Sequence, residues 1–382
     1  MKIMLIEDNK QKQEEISNHL ISRGMYQKDI ILVENLTDFF AKAKSDIGLF
    51  IIDIRIPNFD DSSASQNGKT IVEALVKMGR SDALLLAISS YPEDFLDLRQ
   101  YFEMHGCILC DYKEKKNWQS TLDHLLVQAK RDAKFDFLIF CALEEERNPY
   151  IAWFPDGRKI IRGGIECFDI EVEGRSGSVI LHSKMGLVNA AAVSAVSIDR
   201  YRPNVVAMSG VCGGFKSRAS LGQLLISEMV YEYQSGKWTG DGFSQEPYQV
   251  PTEHVLLTSL RKLSSEPELL AELENGFKGT RPSEQNKPVA AVFTSGSAVI
   301  ADKKYLDQVE VIHRKVSGLD MEIFALQRAA HLAVTNPPCI CAKVVVDLCD
   351  SEKSDKIHAY GSFISARFVL KAIADYFSKA TN

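Results

Sequence analysis

The first 130 residues alternate short apolar runs with amphipathic segments, and this alternation limits the possible folds more than any other feature. Five runs have the length of buried strands: Ile3 to Ile6, Ile30 to Val33, Leu49 to Ile54, Leu84 to Ile88 and Cys107 to Cys110. Between them, pairs such as Ile16 and Leu20 have the spacing of one helix face. Alternating strands and helices predict an α/β domain with a five-stranded, parallel, doubly wound sheet.

Polar residues stand at the ends of these predicted strands. Glu7 and Asp8 follow the first strand, Asp53 lies at the end of the third, Ser89 ends the fourth and Lys113 follows the fifth. The carboxyl ends of parallel strands meet at one edge of a sheet, so we expect these five side chains to lie close together.

In this order, the five residues resemble those of the response regulator receiver domain, a family with flavodoxin-like topology. The resemblance implies that Asp53 is the phosphoacceptor and that Ser89 and Lys113 respond to phosphorylation. It implies Mg²⁺ as a cofactor, because clustered carboxylates repel one another unless a hard cation joins them. The implied ligands are the side chains of Glu7, Asp8 and Asp53 and the carbonyl of Arg55. A sensor histidine kinase or another phosphodonor is the implied partner.

Two features depart from the receiver family. Glu114 replaces the usual proline after the lysine, and the loop from Asn58 to Asn67 is longer than the family's usual connection. A receiver fold that has lost phosphorylation therefore remains the alternative.

The length of 382 residues is enough for two or three domains. We assign residues 1–130 to the receiver-like domain, residues 131–134 to a short charged linker, and residues 135–382 to a second domain. The last helix of the first domain is predicted within residues 113–134, where one face carries Trp118, Leu122, Leu125 and Leu126.

Acidic residues also follow predicted strands in the second domain. Three buried strands are predicted to end near acids: Phe135 to Leu143 before Glu146, Val316 to Leu319 before Asp320, and Cys339 to Val346 before Asp347. Lys343 alone interrupts the last apolar run. Acids at neighbouring strand ends can converge on one ligand. Helix capping by Asp320 and Asp347 and a solvated charge run at Glu146 are the alternatives.

Several segments together resemble the nucleoside phosphorylase and methylthioadenosine nucleosidase superfamily over residues 135–377. They are ALEEE, SKMGLVNA, SGVCGG, LGQLLIS, TSGSAVI, SGLDMEIFAL and AKVVVDLCDSEKSD. The resemblance implies a mixed-sheet α/β domain that hydrolyses N-glycosidic bonds without a cofactor. It departs from the family at Val346, where many members carry serine, and at Val211 and Cys212, which replace a usual Ser-Ala pair.

The same resemblance implies roles for individual residues. Glu146 activates water, Asp347 protonates the departing purine, and Glu322, with Met321 beside it, holds the ribose hydroxyls. Two further roles concern substrate binding: Val299 and Ile300 flank the base, and Gly213 lets the backbone approach the ligand closely.

The segment YQSGK resembles nucleosidase domains used as effectors in bacterial conflict systems. A receiver fused to such a domain further resembles the effector of the Detocs family of anti-phage two-component systems, whose nucleosidase splits ATP into adenine and ribose triphosphate. The resemblance implies a purine nucleotide as substrate, with ATP first. Candidate cations for its phosphates are Arg147, Lys184, Lys216, Arg218 and Lys237, although each alone also fits an ordinary surface residue.

Three other functions stay open on the sequence. A methylthioadenosine or adenosine nucleosidase would need an apolar pocket at the 5′ position. A phosphorolytic enzyme would need orthophosphate beside C1′. A catalytically silent adaptor would bind a nucleotide and pass the state of the receiver to a partner.

Composition disfavours other partners. The net charge of −6 gives no basic footprint for nucleic acid. No apolar run reaches membrane-spanning length and no signal peptide is recognised, so no membrane partner is expected. Eight cysteines, mostly within apolar runs, fit thiols in a reducing cytoplasm. A homo-oligomer is expected, because subunits that switch together would sharpen control by one phosphate.

Overall fold

The computed structural model describes residues 2–43, 47–80, 83–91, 93, 95–131, 134–240, 242–300, 302–349 and 355–380. The chain forms two compact units, Met1–Ala133 and Lys134–Asn382. We call them the first unit and the second unit.

The first unit alternates strands and helices. Its strands are β1 (Lys2–Ile6), β2 (Ile30–Val33), β3 (Ile47–Ile52), β4 (Leu84–Ser89) and β5 (Cys107–Asp111). Its helices are α1 (Lys10–Ser22), α2 (Leu36–Lys42), α3 (Gly68–Lys77), α4 (Phe95–Met104) and α5 (Lys115–Arg131). Across the described residues, the five strands pair in parallel in the order β2-β1-β3-β4-β5. This is the order of flavodoxin-like doubly wound sheets, and it confirms the predicted five-stranded parallel sheet.

Alternate strand residues of the first unit pack on opposite faces of its sheet. On one face, Ile6 and Ile52 belong to a core with residues of α2, α3 and α4. On the other, Leu5 and Ile51 belong to a core with α1 and α5. The predicted apolar face of α5 is confirmed, because these four side chains are buried in that second core: Trp118, Leu122, Leu125 and Leu126.

The second unit contains more strands than the first. They are β6 (Phe137–Cys141), β7 (Arg158–Arg162), β8 (Ile165–Val172), β9 (Arg175–Leu181), β10 (Val205–Gly214), β11 (Leu224–Glu232), β12 (Gly236–Thr239), β13 (Gly242–Gln245), β14 (Gln249–Pro251), β15 (Val289–Ser295), β16 (Val316–Asp320) and β17 (Cys339–Asp347). The helices are α6 (Glu144–Trp153), α7 (Leu187–Tyr201), α8 (His254–Ser264), α9 (Leu269–Glu274), α10 (Lys303–Glu310), α11 (Ile323–Leu332) and α12 (His358–Ala380).

Strands of the second unit form a mixed sheet, as predicted. Its order is β14-β11-β15-β16-β10-β6-β9-β8-β7, and β17 pairs with both β10 and β11. Five strands therefore form a closed ring of pairs: β10–β17, β17–β11, β11–β15, β15–β16 and β16–β10. Because β17 is enclosed in this way, all its residues except Asp347 are buried, which explains its continuous apolar run.

Helix α12 covers one face of the large sheet. Tyr360, Ile364 and Phe368 of this helix share a core with Ile340 and Val344 of β17. All eight cysteines of the chain are described and buried, and none forms a disulfide, in agreement with the prediction of buried thiols. Over the described part of the chain, every helix is too short or too polar to pass through a lipid bilayer.

Candidate active site

The parallel strands β9, β6, β10 and β17 direct their carboxyl ends to one edge of the large sheet. Glu146 follows β6, and Asp347 is the last residue of β17. Gly213 in β10 pairs with Asp347 on one side and, through an antiparallel contact, with Leu319 of β16 on the other. Three acids from distant segments, Glu146, Asp347 and Asp320 next to Leu319, are thus brought to this edge of the sheet.

Glu146 lies in the first turn of α6, and its carboxylate turns back onto the start of that helix. Its Oε2 accepts hydrogen bonds from the N–H groups of Ala142 (2.7 Å) and Leu143 (3.1 Å). Its Oε1 accepts one from the N–H of Val211 (2.9 Å). Glu144 and Glu145 are exposed, so Glu146 is the buried member of the triplet. Burial raises the pKa of Glu146, although Lys343 opposes the shift.

Two glycines in β10 make room for acids. Gly210 has a φ of +152°, and a Cβ there would lie 2.0 Å from Oε1 of Glu146. At Gly213, a Cβ would lie 2.4 Å from Sγ of Cys349 and 3.2 Å from Oδ1 of Asp347. The sequence singled out Gly213 for close approach to a ligand, whereas here both glycines allow close approach of the site's own side chains.

Glu322 lies at the N-terminus of α11 and is buried. Its Oε1 accepts a hydrogen bond from the N–H of Gly186 (3.1 Å), and its Oε2 accepts one from the ammonium of Lys343 (3.0 Å). Gly186 has a φ of +107°, a conformation that favours glycine. Met321 precedes Glu322 and is half-buried.

Lys343 is a buried lysine to which the sequence gave no role. Its Nζ pairs with Oδ2 of Asp320 (2.8 Å) as well as with Glu322. Burial lowers the pKa of the Lys343 ammonium, but the carboxylates of Asp320, Glu322 and Glu146 outweigh burial and raise it well above its usual value. The lysine therefore stays charged and balances the buried carboxylates, which we call the second-unit acid cluster (Glu146, Asp320 and Glu322).

Asp320 has two structural roles. Its Oδ2 accepts hydrogen bonds from the N–H groups of Glu322 (3.1 Å) and Ile323 (2.9 Å), so it caps the start of α11 as predicted. Its Oδ1 accepts a hydrogen bond from the hydroxyl of Ser295. With these bonds and the Lys343 ion pair, Asp320 fixes the backbone from which Glu322 extends.

Asp347 is less buried than the second-unit acid cluster. Its Oδ1 accepts a hydrogen bond from the N–H of Cys349 (2.9 Å), which has a φ of +56°. Residues 350–354 of the quoted motif lie outside the described residues.

His182 follows β9 and was missed by the sequence analysis. Its side chain is buried, and neither ring nitrogen has a hydrogen-bond partner within the described part of the chain. Burial, with a contribution from the charge of Lys343, lowers the pKa of His182 to about 4. The imidazole is therefore neutral at physiological pH. His182 directly follows the apolar run Val179 to Leu181, so its position at a strand end could have been recognised from the sequence. It was missed because only acids were considered at the strand ends of this domain.

The two residues predicted to flank the base have different environments. Val299 is exposed, whereas Ile300 is buried in a core cluster with Phe215, Tyr231 and Tyr233. Ile300 packs inside the unit, and contact of these two residues with the base stays a prediction. Val299 stays accessible to a ligand.

The candidate phosphate-binding cations fall into two groups, those in ion pairs and those exposed at the surface. Arg147 is buried and pairs with Glu166 (3.1 Å), and Arg218 pairs with Glu310, so both charges are already balanced. The side chains of Lys184, Lys216 and Lys237 are exposed. Arg147 and Arg218 are therefore weaker candidates than the three lysines.

Hydrogen bonds join the loop that carries Lys184 to the segment just before β12, the strand that carries Lys237. The N–H of Ser297 donates to Oε1 of Gln234 (2.7 Å), three residues before Lys237. The N–H of Leu187, three residues after Lys184, donates to Oγ of Ser297 (3.4 Å). Ser297 thereby connects both segments to the turn at Gly186 that bonds Glu322.

The sequence profile of the phosphorylase superfamily matches residues 136–372, which is more than half of the chain. The chain belongs to this superfamily. The matched region begins one residue before β6 and ends within α12, so it contains the second-unit acid cluster and Asp347.

Similar proteins include characterised and uncharacterised members. An uncharacterised protein, y4jS of Sinorhizobium fredii, is 26% identical over 417 aligned residues, which cover 98% of each chain. ATP nucleosidase Cap17 of Escherichia coli is 26% identical over 203 residues, or 50% of this chain and 40% of that protein. A 5′-methylthioadenosine/S-adenosylhomocysteine nucleosidase of Listeria monocytogenes is 24% identical over 214 residues, or 56% of this chain and 87% of that enzyme.

Solved structures share the superfamily fold. A 5′-methylthioadenosine/S-adenosylhomocysteine nucleosidase of Colwellia psychrerythraea, in complex with adenine, has a TM-score of 0.53 and 18% identity, covering 63% of this chain and 96% of that one. Futalosine hydrolase of Helicobacter pylori has a TM-score of 0.51 and 19% identity, covering 64% and 98%. At this identity, the similarity establishes the fold alone.

A second group of acids lies outside the superfamily match, in the first unit. One carboxylate oxygen from each of Glu7, Asp8 and Asp53 lies within 4.8 Å of the others, and we call these three residues the first-unit acid cluster. Burial raises the pKa of Glu7 to about 7 against the opposing charge of Lys12, and burial also raises the pKa of Asp8. Carboxylate oxygens at this spacing fit a hard divalent cation.

Three other residues were predicted to belong to the phosphorylation site of the first unit: Ser89, Arg55 and Lys113. Ser89 is buried at the end of β4, and its hydroxyl accepts a hydrogen bond from the N–H of Tyr91 (3.1 Å). Arg55 stacks its guanidinium on the ring of Tyr91 at 4.1 Å. Lys113 is exposed, and the ion pair to Asp53 (3.0 Å) comes from Lys12 of α1 instead.

Proposed function

We propose that the second unit is a nucleosidase that hydrolyses the N-glycosidic bond of a purine nucleotide, with ATP as its substrate. The observation that carries the proposal is the buried Glu146 carboxylate, which three backbone N–H groups hold in one orientation. Similarity to a curated ATP nucleosidase over half of the chain supports the choice of substrate.

In this proposal, Glu146 is the general base. The ideal base has a pKa near the operating pH, and burial moves the pKa of Glu146 upward in that direction. Its three amide bonds fix the carboxylate, so an attacking water would be deprotonated in one place. We propose Asp347, which is more accessible, as the acid that donates a proton to purine N7 while Glu146 takes one from water.

Glu322 holds the ribose in the same proposal. Each carboxylate oxygen can accept more than one hydrogen bond, so the bonds from Gly186 and Lys343 leave acceptor capacity for the 2′ and 3′ hydroxyls. As the glycosidic bond breaks, the sugar gains positive charge like that of an oxocarbenium ion. Fixed carboxylates near this charge stabilise the transition state without reorganising.

The exposed lysines support a phosphorylated 5′ end. Ser297 joins the loop that carries Lys184 to the segment before β12, the strand that carries Lys237, and the Lys184 loop also bonds Glu322 through Gly186. A sugar held by Glu322 would therefore place its 5′ substituent near both lysines. Methylthioadenosine, the alternative suggested by other relatives, would need an apolar pocket at this position.

A substrate panel tests the proposed activity. Purified full-length protein is incubated with ATP, AMP, adenosine or methylthioadenosine, with and without orthophosphate, and products are separated by chromatography. We expect adenine and ribose triphosphate from ATP, no phosphate requirement, and much slower cleavage of adenosine. Equal rates on adenosine would exclude the triphosphate preference, a phosphate requirement would identify a phosphorolytic enzyme, and no cleavage would favour the silent adaptor.

For the first unit, we propose a response regulator receiver whose phosphoacceptor is Asp53. The strand order and the first-unit acid cluster support this assignment. Mg²⁺ would be held by Glu7, Asp8, Asp53 and the Arg55 carbonyl, and would offset the charge of an incoming phosphoryl group. Ser89 and Lys113 would respond to the phosphate. A sensor histidine kinase would supply the phosphate, and the whole protein would serve as the effector of an anti-phage two-component system.

Control by Asp53 can be tested directly. An unchecked ATP nucleosidase would harm its own cell, so we expect low activity at rest and a rise when Asp53 is phosphorylated. A change from about 1% to about 99% active requires roughly 5.5 kcal/mol, which favours a cooperative homo-oligomer. Base release and assembly mass are measured with and without a phosphodonor for wild type, Asp53→Asn and the exposed control Asp61→Asn. Full activity of unphosphorylated Asp53→Asn would exclude regulation of the nucleosidase by phosphorylation of Asp53.

A further inference from the structure

Lys12 is a buried lysine in the middle of the first-unit acid cluster. Its ammonium contacts Oε2 of Glu7 (2.7 Å), Oδ2 of Asp53 (3.0 Å) and the carbonyl oxygen of Ile88 (2.7 Å). An ammonium has three N–H donors, so these three acceptors satisfy it completely. The side chain is 3% exposed. One cation thereby joins residues near the carboxyl ends of three strands, β1, β3 and β4.

Two of the carboxylates that Lys12 contacts also belong to the group that could hold a metal. Glu7 and Asp53 each contribute a carboxylate to the group whose oxygens lie within 4.8 Å of one another. A divalent cation and an ammonium cannot occupy the same position between those carboxylates. A metal that bound between Glu7 and Asp53 would therefore have to displace the ammonium.

We propose that Lys12 is the resident cation of the first-unit acid cluster and that a divalent cation binds there only by displacing its ammonium. The ammonium offsets part of the charge of the acids: with all three carboxylates ionised, it changes the net charge of the group from −3 to −2. Without Lys12 the acids would repel one another, and a metal would be needed to hold them together.

The position of Lys12 on α1 permits displacement. Its backbone is fixed near the start of the helix, where its N–H donates to Oδ1 of the capping residue Asn9 (3.1 Å). The ammonium stands at the end of a flexible four-carbon stem, so it can leave the cluster without movement of the helix. Lys12 thus makes metal occupancy a competition and releases an oxygen of Asp53 whenever the metal binds.

Mg²⁺ titration of three full-length proteins tests the proposal: wild type, Lys12→Met and Lys10→Met. Lys10 is a matched control, because it lies on the same helix but pairs with Glu34 at the surface. Affinity is measured by isothermal titration calorimetry, and melting temperature is measured in EDTA and in Mg²⁺. Lys12→Met should bind Mg²⁺ at least about tenfold more tightly than wild type and gain stability from it, whereas Lys10→Met should match wild type.

A double variant covers the case in which Lys12→Met does not fold. Glu7→Gln/Lys12→Met is compared with Glu7→Gln, because both lack the Glu7 carboxylate and only the second keeps the ammonium. If the ammonium blocks the metal, the double variant should bind Mg²⁺ at least about tenfold more tightly than Glu7→Gln. The proposal is overturned if Lys12→Met binds Mg²⁺ within about twofold of wild type or, when Lys12→Met does not fold, if the double variant binds it within about twofold of Glu7→Gln.

Discussion

Both units contain strand-end acids paired with a buried lysine, but the two lysines are anchored differently. Lys343 extends from β17, which is enclosed by neighbouring strands on both sides. Lys12 extends from the first turns of a helix. A lysine on an enclosed strand is held by its backbone and its surroundings, whereas a lysine on a helix is held mainly by its ion pairs.

The acids themselves differ in the same way. In the second unit, backbone N–H groups bond every carboxylate of the cluster, with three bonds to Glu146, two to Asp320 and one to Glu322. In the first unit, Glu7 accepts one such bond (3.0 Å) and Asp53 accepts a long one from Arg55 (3.5 Å). A cluster fixed by backbone amides suits chemistry that needs preorganisation. A cluster joined mainly by one ammonium, at the end of a flexible side chain, suits exchange of its cation.

The largest expected effect is loss of catalysis in the second unit. Glu146→Gln and Asp347→Asn preserve shape and remove an ionisable group, so each should lower the rate of base release by about 10²- to 10⁴-fold. Glu144→Gln is the matched control, since Glu144 belongs to the same triplet but is exposed. Circular dichroism checks folding. Near-normal turnover by either folded variant would contradict the assigned roles.

The next effect compares the two lysines as structural elements. Lys343→Met leaves Asp320 and Glu322 buried without their cation, so we expect a loss of roughly 3–5 kcal/mol of stability. Lys12→Met should cost less in Mg²⁺ than in EDTA, because a metal can replace its ammonium. Hydrogen exchange of β17 and β3 peptides reports each unit separately. If Mg²⁺ restored the stability of Lys343→Met as much as that of Lys12→Met, the proposed difference between the two lysines would be wrong.

The sequence predicted the acids because an apolar run followed by a carboxylate is a local pattern. Glu7, Asp53, Glu146, Asp320 and Asp347 all stand at or shortly after strand ends in the structure. The five-stranded parallel sheet followed from the same alternation, since each strand and helix is continuous in sequence. Their roles in binding and catalysis stay predictions.

The cations could not be predicted in this way, because their partners are distant in sequence. Lys12 lies among polar residues and resembles Lys10, which is at the surface. Its spacing from Ile16 and Leu20 places it on the buried face of α1, which is a usable signal. Lys343 was visible as the one charge in a buried run, but the run does not name Asp320 and Glu322 as its partners.

A smaller effect concerns the pH dependence of stability through His182. Its pKa is lowered from the model-compound value of 6.5 to about 4, so the unfolded chain binds more protons between these values. The contribution of His182 is therefore fully present above about pH 6.5 and is lost as pH falls toward 4, by up to about 3 kcal/mol. Glu146, with a raised pKa, acts in the opposite direction, so the comparison must be with His182→Asn. Denaturation at several pH values should show wild type losing stability relative to this variant on acidification, and parallel curves would contradict the prediction.

The smallest effect lies at the surface of the rigid site, where Lys184 and Lys237 are proposed to meet the 5′ phosphates. Both lysines are exposed, and exposed ion pairs are weak, so Lys184→Ala or Lys237→Ala should each raise KM for ATP by roughly five- to tenfold, or about 1 kcal/mol. The kcat should change little, because neither ammonium touches the glycosidic bond in this proposal. KM for adenosine should stay constant, which separates phosphate binding from a general disturbance of the site.

The control variant is Lys159→Ala, which removes an exposed lysine on β7 and tests for the effect of losing surface charge. Since salt screens exposed charges, the ATP effect should also shrink as ionic strength rises. An equal rise in KM for ATP and adenosine would place both lysines away from the phosphates.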